Sequence, residues 1–167
     1  MAARFAIALG IDDVIWYGDN GASLKGIATQ TGTTSFTAAN GSTGSKLWRT
    51  KTPDEMVADL HGMVNNVVKT TLGIHQPTDM ILPLAAYNLA ATRRMGDGSN
   101  QTVLEFFIAT SRCKNVSSAY RLDAGFSNYW NGNAQPVDGA GGGALTTSRT
   151  IVYEKNPARL SLILPVE

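Results

Sequence analysis

Two glycine-rich stretches carry the spacing of phosphate-binding loops. Gly21-Ala22-Ser23-Leu24-Lys25-Gly26 has the glycine spacing of a Walker A loop, but Ile27-Ala28 occupy the places of its Lys and Ser/Thr. Without a lysine to reach the phosphates and a hydroxyl to hold magnesium, the stretch reads as a turn. Gly139-Ala140-Gly141-Gly142-Gly143-Ala144 formally fits the dinucleotide fingerprint G-x-G-x-x-G/A. That fingerprint works after a strand and at the start of a helix, where backbone amides converge on a pyrophosphate. Here a polar loop precedes it and a predicted strand, Thr150–Glu154, follows. It reads as a hairpin loop.

The remaining reactive side chains are few. His61 and His75 are the two histidines and Cys113 the one cysteine, with neither HxxxH nor HExxH spacing, so no metal site is expected. A Cys113/His75 nucleophilic pair stays open on sequence grounds, although nothing marks Cys113 as a thiolate. Asp12 and Asp13 are neighbours on a predicted helix and point about 100° apart, a poor arrangement for acid–base chemistry. They read as solvated charges or contacts between subunits. Arg93-Arg94 and Arg112/Lys114 read as solvated helix ends or loops, and Tyr129-Trp130 as a local core or subunit contact. No catalytic, cofactor-binding or metal-ligating residue is assigned, and no cofactor is expected.

Composition narrows the classes further. At 167 residues the chain is expected to form one domain, and its charged fraction of 16% leaves much of the surface to Gly, Ser, Thr, Asn and Ala. A formal net charge of +1 makes no electrostatic case for nucleic acid or an anionic membrane. A single cysteine excludes an intramolecular disulfide. Met1–Leu9 is apolar but too short to span a membrane and lacks the pattern of a signal peptide. The expectation is a soluble, intracellular chain.

The elements that position these residues centre on Thr52–Gly73. Thr52-Pro53-Asp54-Glu55 predicts a helix start with a capping box and a proline at the first helical position. Met56, Leu60, Met63, Val64, Val67, Val68 and Leu72 recur with helical period, and Gly73 predicts a left-handed cap. Ala2–Tyr17 predicts another helix, apolar on all sides in its first half and so in need of partners. Leu24–Ala28 reads as a short extended piece and Thr29–Ser45 as a polar loop. Thr78–Leu82 reads as a buried strand, and Leu84–Thr92 as a helix opened by Pro83. Thr102-Val103-Leu104-Glu105 is a second capping box, ahead of a short helix. Val116–Leu122, Thr150–Glu154 and Leu160–Leu164 are predicted strands, the last two separated by a turn at Asn156-Pro157, and 125–148 is turn-rich. The pattern is α+β, a central mixed sheet flanked by helices.

The order of these elements resembles a known series. Ile15-Trp16-Tyr17-Gly18-Asp19, then Leu24-Lys25-Gly26-Ile27, a polar loop, the Thr52-Pro53-Asp54-Glu55 helix, Met80-Ile81-Leu82-Pro83-Leu84 with Tyr87, Thr102-Val103-Leu104-Glu105-Phe106 and Asn156-Pro157-Ala158-Arg159 follow one another. This is similar to the major capsid proteins of tailed bacteriophages, the shell fold shared with encapsulin nanocompartments, and closest to a prophage-encoded branch.

The resemblance implies a structural shell subunit with no catalytic activity. Residues 1–17 would be the end of a spine-type helix and 18–167 an axial-like domain, with Pro53–Leu72 a main helix and Met80–Leu82 a sheet strand. The turn-rich 125–148 segment would lie at an edge or near a capsomer axis. Relative to the family the chain is expected to be truncated at both ends. It lacks the N-terminal arm, the extended loop and most of the spine helix, and it stops at Leu164-Pro165-Val166-Glu167, where members continue into peripheral-domain strands. The implied partners are copies of itself in pentamers and hexamers, with scaffold or other capsid proteins, and no membrane or sequence-specific nucleic acid. The implied location is the virion capsid, reached from the host bacterial cytoplasm. Two alternatives stand beside this reading: an encapsulin-type nanocompartment shell, and a small-ligand-binding domain or enzyme using the glycine-rich loops.

Overall fold

The computed structural model describes residues 2–19, 21–96, 98–123 and 148–156. Predictions for most of 125–148, for Gly139–Ala144, for Tyr129-Trp130, for the Asn156-Pro157 turn and for the Leu160–Leu164 strand fall wholly or partly outside these residues. The chain divides into two compact units, one of residues 1–35, 82–85 and 118–151 and one of 36–81, 86–117 and 152–167. Helices and strands are mixed in both, an α+β arrangement.

In the first unit, helix α1 runs over Ala2–Tyr17, as the sequence predicts, and breaks at Gly18, whose φ is +80°. Strand β1 (Gly18–Asp19) then pairs antiparallel with β2 (Leu24–Lys25), Gly18 opposite Lys25. The expected extended piece is therefore shorter, because Ile27–Thr29 form a 3-10 turn that packs back on α1. Gly26 permits this close return: a Cβ there would stand 2.5 Å from the Trp16 carbonyl oxygen. Thr29 fastens it, its hydroxyl donating to the Tyr17 carbonyl at 2.9 Å and accepting from the Gly26 amide at 2.9 Å.

The second unit is built on α2 (Pro53–Thr70). Its start is as read from the sequence: Thr52 Oγ1 accepts from the Glu55 amide at 3.3 Å, and Glu55 Oε2 accepts from the Thr52 amide at 2.8 Å. Met56, Val57, Leu60 and Val64 are buried. Helix α4 (Val103–Thr110) repeats the capping box with Thr102 and Glu105, and packs on α2 with Val103, Leu104 and Phe107 buried. His61 of α2 stands edge-on to Phe107 at 5.1 Å between ring centres.

Strands β3 (Asp79–Pro83), β4 (Asn115–Ala119) and β5 (Ile151–Tyr153) form a sheet in the order β4-β3-β5, and residues 79–81, 115–117 and 152–153 belong to the second unit. Thr78 anchors its start, the amide donating to Tyr153 O at 3.1 Å and the carbonyl accepting from Asn115 N at 3.3 Å. Helix α3 (Leu84–Thr92) follows β3 directly, its Ala85 amide capped by Asp123 Oδ1 at 3.2 Å.

Two expectations are corrected here. The Val116–Leu122 strand stops at Ala119, and Tyr120–Leu122 form a 3-10 turn. An extended strand would send Arg121 and Leu122 to opposite faces; the turn buries both. At the end of α2 it is Leu72 that first adopts the left-handed conformation (φ +52°), with Gly73 (φ +80°) behind it. Gly73 N–H donates to Val68 O at 2.8 Å and Leu72 N–H to Lys69 O at 3.2 Å, a Schellman arrangement with leucine where glycine usually sits. Leu72 therefore leaves the buried stripe and is 89% exposed.

Candidate functional site

Among the described residues, the buried charged side chains form one cluster in each unit. In the first unit, α1 and the Tyr120–Leu122 turn build a cluster around Arg121. Its Nη1 donates to Asp13 Oδ1, and its Nη2 lies 2.8 Å from Asp12 Oδ2. The Arg121 and Asp13 side chains are each only 4% exposed, while Asp12 is 46% exposed. One guanidinium fork thus spans two carboxylates that diverge around the helix. Tyr17 donates its hydroxyl to the Arg121 carbonyl, and the guanidinium stands 5.6 Å from the Tyr120 ring centre. Burial first, and then the nearby Tyr120 and Asp12, pushes the Tyr17 phenol well above its ordinary range. The reading of Asp12 and Asp13 as solvated or intersubunit charges is corrected for Asp13: it is an interior ion pair. Nothing in the local sequence announces a partner 108 positions away.

In the second unit Lys51 Nζ lies 2.5 Å from Asp59 Oδ2, with the two side chains 1% and 6% exposed. Trp48 Nε1 donates to the same oxygen at 2.9 Å, and Lys51 also donates to Ala39 O at 2.7 Å. Arg93 completes the group through backbone carbonyls, donating from Nη1 to Lys51 O at 2.5 Å and to Trp48 O at 3.2 Å. It is thus a clamp on the turn ahead of α2, not a solvated helix end. An open depression beside it is lined by Lys51, Thr52, Pro53 and Arg93–Gly96. At the helix start the Glu55 amide donates to Thr52 Oγ1 and the Thr52 amide to Glu55 Oε2, and Glu55 Oε1 further accepts from Ser42 N at 2.7 Å. These bonds hold the Glu55 carboxyl below its ordinary range.

The Cys113/His75 pairing does not form. His75 Nδ1 lies 2.8 Å from Glu154 Oε2. Cys113 is buried, its sulfur directed at Asn115 O at 3.9 Å, and burial with the charge of Asp79 pushes its thiol up to about 11. That is the opposite of an activated nucleophile. The Gly21–Gly26 stretch opens in a turn closed by the Gly21 amide on Asp19 Oδ1 at 2.8 Å, carries β2, and leads into a 3-10 turn rather than an α-helix. Lys114 donates to Ile108 O at 2.6 Å and Ala109 O at 3.2 Å, capping α4. Among the described residues no group of three His, Cys, Asp or Glu is arranged to hold a metal, and no helix is long and apolar enough to cross a membrane.

The apolar groups behave in the opposite way. Among the described residues the three most exposed large aliphatics are Leu72 (89%), Ile74 (70%) and Ile7 (61%), and Ile11 and Val14 share a face of α1 with Ile7.

Comparison with known proteins decides the family. The profile described as "Major capsid protein" matches residues 1–167. The chain belongs to the major capsid protein family. Its fold is similar to that in the solved structure "The capsid of Myoviridae Phage XM1", with a TM-score of 0.56 at 11% sequence identity, over 72% of this chain and 43% of that one. The chain therefore spans less than half the length of that capsid chain. No curated protein matches.

Proposed function

We propose that this chain is a structural subunit of a bacteriophage or prophage capsid shell, without catalytic activity, which assembles with copies of itself. The family match over residues 1–167 carries the reading. Residues 1–17 act as the end of a spine-type helix and 18–167 as the axial-like domain. The mechanism is repeated heterologous contact, one patch of each copy meeting a different patch of the next, closing into five- and six-membered rings. Two observations support it: polar side chains are spent on internal bonds, and the outward face of α1 carries Ile7, Ile11 and Val14. The subunit resides in the virion capsid after assembly in the host cytoplasm, alongside scaffold or other capsid proteins.

Mass photometry of the purified protein over a concentration series tests the reading. Discrete species at five and six subunit masses are expected. A single monomeric species across the whole series contradicts it.

A further inference from the structure

Residues 36–45 of the polar loop form a strap held against α2 and the turn before it at three points. The Phe36 ring sits on Gly62 of α2, where an added Cβ would stand 2.8 Å from Phe36 Cζ. Glycine weakens a helix interior, and this close contact is what requires it. Farther along, Lys51 Nζ donates to Ala39 O at 2.7 Å and the Ser42 amide donates to Glu55 Oε1 at 2.7 Å.

Asn40-Gly41 lies between the Lys51 and Glu55 anchors. Gly41 is fixed by space, since a Cβ there would stand 2.8 Å from Glu55 Oε2 and 3.0 Å from Lys51 Cγ. The packing thus demands the residue that least shields a preceding asparagine from attack by the next backbone nitrogen. Asn40 is exposed.

We infer that Asn40 is a site of spontaneous deamidation whose rate is set by opening of the 36–45 strap. In the reaction Gly41 N bonds to Asn40 Cγ, the carboxamide C–N bond breaks, and ammonia leaves with the Gly41 proton. Water then opens the cyclic imide at either carbonyl, leaving aspartate or isoaspartate at position 40. The closed strap opposes the first step. Gly41 N–H donates to Ser45 O at 2.9 Å and Gly44 N–H to Gly41 O at 2.8 Å, which keeps the nitrogen turned away from attack. The carboxylate beside it is no free base, because Glu55 Oε1 is held by the Ser42 amide and Oε2 by the Thr52 amide. Reaction therefore waits on a local opening, which takes less free energy than global unfolding. Isoaspartate adds a methylene to the backbone between two anchors, so the modified strap no longer closes in the same register. The chemistry requires no other copy.

Peptide mapping by mass spectrometry, after incubation at mildly alkaline pH, tests the gate. Asn20 and Asn131 also precede glycines, and in urea-unfolded protein all three asparagines are expected to react alike. In the folded protein Asn40 is expected to deamidate at least tenfold more slowly than in the unfolded one. Phe36→Ala removes an anchor and is expected to raise the folded-state rate at least threefold. Gly62→Ala displaces the Phe36 ring while favouring the helix, and is expected to raise that rate with the cooperative unfolding transition kept in place. Equal rates at Asn40 in folded and unfolded protein overturn the protection. Slow deamidation that neither variant changes overturns the strap as the gate. A rise that appears only where the melting temperature falls overturns it as well, because global unfolding then explains the reaction.

Discussion

Asp13 of α1 is paired in the interior with Arg121, 108 positions later in the chain. The pair secures α1 to the turn after β4, and Tyr17 adds a second tie to the Arg121 carbonyl. Breaking a buried pair from one side costs about 3–5 kcal/mol, because the remaining charge is stranded. Arg121→Met should lower the unfolding free energy by about that amount in urea titration. Replacing both partners, as Asp13→Leu with Arg121→Met, should recover most of the loss. A single variant as stable as wild type would show that the pair contributes nothing.

Lys51 and Asp59 make the same argument in the second unit. Among the described residues Lys51→Met leaves Asp59 with only the Trp48 indole N–H, and should cost about 3–5 kcal/mol. A double-mutant cycle with Asp59→Leu should give a large coupling energy. A coupling near zero would mean that the pair is not desolvated as found.

The capping box and the buried face of α2 differ in scale. Thr52→Ala removes one side-chain cap and should cost about 1 kcal/mol. Leu60→Asp places a charge at a position with no exposed surface and should abolish the cooperative transition seen by circular dichroism. A folded, soluble Leu60→Asp protein would put the wrong face of α2 inward.

Glycines at the foot of α1 are set by space. Gly26→Ala drives a Cβ into the Trp16 backbone, and should lower the melting temperature sharply. Gly21→Ala meets only the Asp19 carboxylate, at 3.2 Å, and should shift it little. Equal effects would remove the steric account.

Cys113 gives a pH signature. Its thiol ionises near 11 in the folded protein against an ordinary value of 9.0. Between those values the unfolded state sheds its proton first, so this group's stabilising contribution is present below pH 9 and lost as pH rises through 11. The raised phenols of Tyr17 and Tyr153 act in the same direction. Iodoacetamide should label the folded protein slowly at pH 8 and faster towards pH 11. Rapid labelling at pH 8 would refute the burial.

What could be read in advance follows the range of the interactions. The start of α2 is legible because Thr52, Pro53 and Glu55 act within one turn, and Gly21–Gly26 reads as a turn because Ile27 stands where a lysine must. The end of α2 is not, since a glycine next to Leu72 gives no sign that leucine itself takes the left-handed position. Asp13 reads as a solvated or intersubunit charge because its partner, Arg121, is brought to it only by tertiary folding. The same holds for Lys51 with Asp59, whose pairing depends on the turn at Trp48–Thr50 and on the Arg93 clamp. Local chemistry was visible in the sequence, and long-range electrostatics was not.

Electron microscopy of the expressed, purified protein tests the central claim most directly. Closed shells, or rings of five and six subunits, are expected in the images. Well-folded protein that forms neither at any concentration would contradict the assignment of this chain as a self-assembling shell subunit.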